Sequence, residues 1–222
     1  MDWQALWLSL HLASLTVLLL LPLAVLLGRW LAVTRISGLS LIEATLALPL
    51  VLPPTVVGFY LLVAFSPRSW FGDLWRQVFG GTLAFSFEGL LIASVLINIP
   101  YAVQPAQRAF EAIGNELREA AASCGMSWWR ALFRIELPLA WPGILTGMVL
   151  AFAHTLGEFG VVLMVGGNIP GETRTIAISI YDRVQAFDDA AAGRMAAVLL
   201  LISLLVIAAT LLLSQRIGKR RG

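Results

Sequence analysis

The chain has 222 residues, of which 59% are apolar and only 13% are charged. Soluble domains are about 45–50% apolar and about 25% charged, so this composition excludes a soluble enzyme, a nucleic-acid-binding domain, a disordered tail and a disulfide-rich secreted module. The single cysteine, Cys124, excludes an internal disulfide and a thiolate metal cluster. The sequence therefore predicts an integral membrane protein.

Five long runs with at most one charge each predict five transmembrane helices, because about 20 apolar residues cross a hydrocarbon core of about 30 Å. Their cores are expected at residues 6–27, 46–65, 83–101, 144–165 and 195–213. A membrane barrel would instead alternate polar and apolar residues in short strands. The predicted fold class is therefore all-α, a polytopic bundle of about five transmembrane helices in a single domain that spans residues 1–222.

The distribution of basic residues predicts how the bundle is oriented. The first run is expected to stay in the membrane, because Asp2 and no basic residue precede it, unlike a signal peptide. Ten basic residues lie on the side of the first loop, the third loop and the C-terminal tail, against five on the other side. The positive-inside rule then predicts an N-terminus outside and a C-terminus in the cytoplasm. The basic tail, Lys219–Arg221, is expected to touch anionic membrane lipid.

The third loop, at about residues 104–140, carries eight charges and is still helical in its pattern. Asn115 is expected to cap a helix of good helix formers that begins at Glu116. Gly125 is expected to end that helix as a C′ residue, and a second helical stretch should follow from Ser127 to Leu137, before Pro138. These features predict a rigid protruding pair of short helices, and by shape alone a solvated amphipathic hairpin fits equally well.

A spaced signature in this loop resembles the EAA signature of ABC-importer permeases. Its residues are Glu119, Ala120, Ala121, Gly125, Ile135, Leu137 and Pro138. The resemblance implies an ABC-importer permease fold of the MetI-like type, in which this loop forms the coupling helix that docks on an ATPase subunit. It also implies that the three small or acidic residues seat the helix closely, that Gly125 makes the turn, and that Leu137–Pro138 leads back into the membrane.

The same resemblance implies the rest of the transporter. Its partners would be a second permease copy in a homodimer, two cytoplasmic ABC ATPase subunits and an extracytoplasmic oxyanion-binding protein. No phosphate-cradling G-x-x-x-x-G-K-[ST] motif occurs in the chain, so ATP–Mg would be used by the partner ATPase. We therefore expect no catalytic residue, no metal and no cofactor on this chain, which would lie in a bacterial cytoplasmic (inner) membrane and bind no nucleic acid.

Two further strings narrow the resemblance to one branch of this family. Residues 48–58, and residues 156–160 followed by 167–175, resemble the molybdate and sulfate permeases. The short chain is more similar to the molybdate branch, with tungstate indistinguishable from molybdate. A sulfate or thiosulfate permease is the alternative within the family. A gradient-driven transporter is a remote alternative, because it needs a buried titratable network and only Glu158 and His154 supply one.

Prolines in the second run and Glu158 in the fourth are candidates for the translocation path or its gate. Pro53 and Pro54 remove backbone donors, so they predict a kinked or broken helix that places Thr55 near the anion, or a purely structural kink. A carboxylate at the bilayer centre is costly, so Glu158 is expected to be functional. It could gate the path, pair with His154, cap a helix break at residues 157–160, or lie near the outer mouth.

Small and polar residues on the third and fourth runs complete the candidates. Ser94 and Asn98 share a helix face that could line a polar path, although Asn98 could instead satisfy the backbone near Pro100. Small residues recur every four positions in the fourth run and predict close helix packing, either within the chain or against a second protomer. They are Gly143, Gly147, Ala151 and Thr155.

Overall fold

The computed structural model describes the backbone of residues 1–219, without the side chains of residues 210, 211 and 213–219. All regular elements of this part are helices. They are α1 (Trp3–Val33), α2 (Leu39–Val51), α3 (Pro54–Phe65), α4 (Trp70–Phe79), α5 (Phe87–Glu111), α6 (Asn115–Ser123), α7 (Trp128–Ala131), a π-helical turn (Leu132–Glu136), α8 (Leu137–Gly157), α9 (Gly160–Gly166), α10 (Ile176–Gln185) and α11 (Asp189–Lys219). The predicted lipid contact of the basic tail lies outside the described residues.

The predicted count of about five spans agrees with the helices. Four are long and apolar enough to cross a membrane: Trp3–Val33, Phe87–Glu111, Trp128–Gly157 and Asp189–Ala209. The third of these consists of α7, the π-helical turn and α8 in one continuous stretch of 30 residues. A fifth span exists if α2 and α3, which meet at a bend of 108°, are taken together. The all-helical fold class is confirmed.

Three of the five predicted cores are not helical over their whole length. The run 46–65 is two helices, because Pro54 lacks the N–H that would continue α2. The run 83–101 becomes helical only at Phe87, since the Ser86 side chain caps α5 by accepting a hydrogen bond from the Gly89 N–H at 3.1 Å. The run 144–165 is interrupted after Gly157 and resumes as α9.

The predicted third loop is also shorter than residues 104–140. Helix α5 continues to Glu111, and the helix that leads into the fourth span already begins at Trp128. Only residues 112–127 therefore lie outside the two long helices. The helical stretch after Ser127 was expected to end at Leu137, before Pro138, but it continues through Pro138 into α8. Its π-helical turn, Leu132–Glu136, ends two residues before Pro138, which has no N–H to offer a carbonyl one turn earlier.

The centre of the bundle is made by α1, α5 and α8, which pack closely on one another. Leu20, Ala102, Ala106 and Ile144 are fully buried there. A Cβ on Gly147 would lie 2.7 Å from the carbonyl oxygen of Ala102, so only glycine allows this approach. The predicted small-residue face thus packs against α5 of the same chain.

Helices α2 and α3 are bound much less tightly to this centre. No residue of α2 is buried, and α3 buries only Gly58 and Phe65. Large apolar side chains on both helices are exposed, among them Val51, Phe59 and Tyr60. Within one copy of the chain, the bent pair therefore presents an uncovered apolar face.

Candidate functional site

The first residues of the EAA signature lie at the tip of the segment that joins α5 to the fourth span. Glu119 and Ala120 are exposed on α6, whereas Ala121 is buried beneath the helix. The N-cap of α6 is Gly114 rather than the predicted Asn115, which is the first helical residue. The Asn115 Oδ1 instead accepts a hydrogen bond from Arg118 Nη1 at 3.3 Å.

Gly125 ends α6 as predicted, through a Schellman motif. Its N–H donates to the carbonyl of Ala122 at 2.9 Å, and the N–H of Met126 donates to the carbonyl of Ala121 at 3.1 Å. The φ angle of Gly125 is +70°, a left-handed conformation that glycine adopts without strain. Cys124, which precedes it, is exposed and not buried as a small core residue would be.

The last residues of the signature return the chain to the fourth span. Ile135 lies in the π-helical turn, and Leu137 and Pro138 begin α8. Ile135 and Leu137 are half-buried, and Pro138 is exposed. The signature therefore covers two structural units: an exposed helix that ends at a glycine turn, and the base of a long membrane-crossing helix.

An ion-pair network that the sequence analysis missed joins these units. Glu136 is only 2% exposed, and its carboxylate accepts two hydrogen bonds from Arg29, at 2.6 Å from Nε and 2.8 Å from Nη2. The Nε of Arg118 lies 3.7 Å from Oε1 of the same carboxylate, the oxygen that also accepts from Arg29 Nη2. The guanidinium of Arg29 also lies 5.0 Å from the ring centroid of Trp128. The signal available in the sequence was an acidic residue, Glu136, directly before Leu137 and Pro138 of the signature.

Glu158 caps the break in the fourth span, one of the roles expected for it. Its Oε1 accepts a hydrogen bond from the N–H of Val161 at 2.8 Å, which satisfies one of the free donors at the start of α9. The pairing with His154 that was also expected is a longer contact rather than a hydrogen bond, with His154 Nε2 at 3.6 Å from Glu158 Oε2. His154 instead contacts Asn98, with its Nδ1 at 3.0 Å from Oδ1.

Asn98 is fully buried between α5 and α8 in a small polar network. Its Nδ2 donates to the carbonyl of Ser94 at 2.8 Å and to Thr155 Oγ1 at 3.1 Å. Pro100 frees the carbonyl of Leu96, so the bond to Ser94 is not the expected backbone repair. The Ser94 Oγ is buried and has no hydrogen-bond partner in the described part of the chain.

The broken second and fourth spans meet at their breaks. A Cβ on Gly160 would lie 2.7 Å from the Cβ of Pro54, and one on Gly58 would lie 2.8 Å from Met164. Helices α3 and α9 therefore pack on each other from their first turns. Pro53, Pro54 and Thr55 are all exposed at this point.

The structure thus brings the six candidate path residues into one connected region. Pro54, which Pro53 and Thr55 flank in sequence, lies against Gly160 at the start of α9, which Glu158 caps. Asn98, which is bonded to the carbonyl of Ser94, is linked to Glu158 through His154. No cluster of three metal-ligating side chains occurs in the part of the chain that the structure describes.

Comparisons with known proteins identify what the chain resembles. Residues 13–220 match the family described as the binding-protein-dependent transport system inner membrane component. The chain is 50% identical over 195 residues to the molybdenum transport system permease protein ModB of Azotobacter vinelandii, covering 88% of this chain and 86% of that protein. It is 43% identical over 184 residues to ModB of Escherichia coli K12, covering 83% and 80% of the two chains.

A sulfate permease and a solved transporter are more distant. The chain is 34% identical over 186 residues to the sulfate transport system permease protein CysT of Escherichia coli K12, covering 84% of this chain and 67% of that protein. Its fold is similar, with a TM-score of 0.78 and 20% identity, to a chain of a bacterial alginate ABC transporter in complex with an alginate pentasaccharide-bound periplasmic protein. That match covers 97% of this chain and 79% of the other.

Proposed function

The chain belongs to the family of binding-protein-dependent transport system inner membrane components, and we propose that it is the membrane-spanning subunit of an ATP-driven importer of molybdate. The observation that carries the proposal is the likeness to ModB permeases, at 50% and 43% identity over most of the chain. Tungstate, a tetrahedral dianion of nearly the same size as molybdate, is expected to share the path.

We assign α6 as the surface on which the ATPase subunit docks. Its exposed Glu119 and Ala120 form a small, flat contact that a groove on an ABC ATPase can take up, while the buried Ala121 and the Gly125 turn hold the helix rigid. Two such ATPases would serve two copies of the permease. ATP–Mg would be bound and hydrolysed on them, and this chain would supply neither a catalytic residue nor a cofactor site.

The uncovered face of α2 and α3 supports a homodimer whose path runs at the breaks in the second and fourth spans. A second copy would cover the apolar side chains of these helices, and the exposed Pro53, Pro54 and Thr55 would face the anion. Alternating access then requires two discrete arrangements of packed helices, selected by the bound state of the ATPases.

The orientation of the chain follows from the same proposal. The end of the bundle that carries α6 would lie in the cytoplasm, and the N-terminus would lie outside, as the basic residues indicate. An oxyanion-binding protein would dock on the outer side. In support, the alginate transporter of similar fold was solved with a periplasmic protein.

A sulfate permease is the second candidate, because CysT of Escherichia coli is 34% identical to the chain. Uptake of radiolabelled molybdate by cells that lack this gene separates the two. We expect deletion to abolish uptake, the gene to restore it, and unlabelled tungstate but not sulfate to compete. Loss of sulfate uptake, with molybdate uptake unchanged, would move the substrate to sulfate. Unchanged uptake of both anions would contradict the proposal.

A further inference from the structure

We propose that Arg118, Glu136 and Arg29 form a positioning relay that couples movements of α6 to the ends of α1 and α8. This inference rests on the proposed function, since it concerns how motion at α6 reaches the membrane helices. The three residues are not proposed to touch the anion or the nucleotide. They act through the helices that they join.

The inner link of the relay joins α1 to the base of the fourth span. Glu136 lies in the π-helical turn, is 2% exposed, and is held by two parallel hydrogen bonds from Arg29 at 2.6 and 2.8 Å. Paired bonds of this kind fix the relative orientation of both side chains as well as their distance. Pulling the two helix ends apart would leave a buried charge without its partner, so their separation is costly.

The outer link joins α6 to both neighbours. Arg118 precedes Glu119 of the signature, yet its side chain turns inward, away from the exposed face. Its Nη2 donates to the carbonyl of Phe110 at 2.6 Å and its Nη1 donates to that of Ile113 at 2.9 Å, at the end of α5. The same guanidinium lies 3.7 Å from Glu136. One side chain thus ties the docking helix to α5 and, through Glu136, to α1.

In the outer link, the distance between Arg118 and Glu136 can still shorten. The Nε of Arg118 is buried without a hydrogen-bond partner among the described residues, and the nearest carboxylate oxygen is 3.7 Å away, beyond hydrogen-bond length. A displacement of α6 by roughly 1 Å toward Glu136 would convert this contact into a charge-assisted hydrogen bond. A second arrangement of α6 would therefore be stabilised by this bond, as a two-state coupling element requires.

The test measures molybdate transported per ATP hydrolysed, using the purified permease–ATPase complex in proteoliposomes with the oxyanion-binding protein supplied outside. We expect Glu136→Gln and Arg118→Gln each to keep ATP hydrolysis and to lower this ratio by about fivefold or more, the scale of typical coupling between sites. Arg134→Gln is the matched control, since Arg134 lies exposed in the same π-helical turn. It should leave the ratio unchanged.

The double variant Arg118→Gln/Glu136→Gln distinguishes one relay from two separate effects. If the residues act through one link, the double variant is no worse than the more severe single variant, whereas independent effects multiply. Multiplying effects, or an unchanged ratio in both single variants, would overturn the relay. Should Glu136→Gln fail to assemble, Arg118→Gln alone decides, because Arg118 is nearer the surface. A wild-type complex that hydrolyses ATP without moving molybdate would contradict the proposed function instead.

Discussion

Gly147 is where the close packing of α8 on α5 can be tested with a single methyl group. In Gly147→Ala, the new Cβ would lie 2.7 Å from the carbonyl oxygen of Ala102 and 3.2 Å from its Cα. Both are backbone atoms, which cannot rotate away. An ordinary contact needs about 3.4 Å or more, so the two helices must separate by several tenths of an ångström. Overpacking of this kind costs about 1–3 kcal/mol.

Gly157→Ala is the matched control for this prediction. Gly157 ends the same helix, and a Cβ there would have no atom within 4 Å. Alanine at such a position is neutral or stabilises by about 0.5–1 kcal/mol, because the unfolded chain loses conformational freedom. We expect the melting temperature of the detergent-solubilised protein to fall by several degrees in Gly147→Ala and to stay level or rise in Gly157→Ala. Equal melting temperatures for Gly147→Ala and wild type would contradict close packing of α8 on α5 at this position.

Two further predictions concern the glycine turn and the helix break. Gly125→Leu places a branched side chain at φ +70°, which costs about 1–2 kcal/mol of strain. It should abolish molybdate uptake while the amount of protein in the membrane, measured by immunoblot, is unchanged. The control Gly114→Ala, at φ −57°, should preserve uptake. Glu158→Ala removes the cap of α9 and should lower stability by about 1 kcal/mol, whereas Glu158→Gln keeps an oxygen for the Val161 N–H and should restore the melting temperature. Retained uptake in Gly125→Leu, or equal stability of the two Glu158 variants, would count against these interpretations.

Features that depend on local backbone chemistry could be predicted from the sequence. The prolines after Leu52 predicted a break in the second span, because proline lacks a donor, and the chain bends there by 108°. Gly125 predicted the end of α6, because the C′ position favours a positive φ angle. The bend angle itself could not be derived, since it depends on packing against α9.

Features that depend on distant residues could not be predicted in the same way. The run 144–165 carries no charge apart from Glu158, and a break at residues 157–160 was only one of several roles that the sequence left open for Glu158. The structure shows this break, with Glu158 capping α9. Arg29 and Glu136 are 107 positions apart. No local periodicity relates them, and only the packing of α1 on the fourth span brings them together. Asn115 was expected to cap α6 by its type, but Gly114 begins the turn.

The central claim is that this chain forms a molybdate path driven by ATP hydrolysis on a separate subunit. Its most direct test is accumulation of radiolabelled molybdate by proteoliposomes that contain the purified permease–ATPase complex, with the binding protein outside. We predict accumulation only when ATP–Mg is supplied on the ATPase side, and little competition from sulfate. Accumulation without ATP, driven by an ion gradient alone, or no accumulation with every component present, would contradict the account.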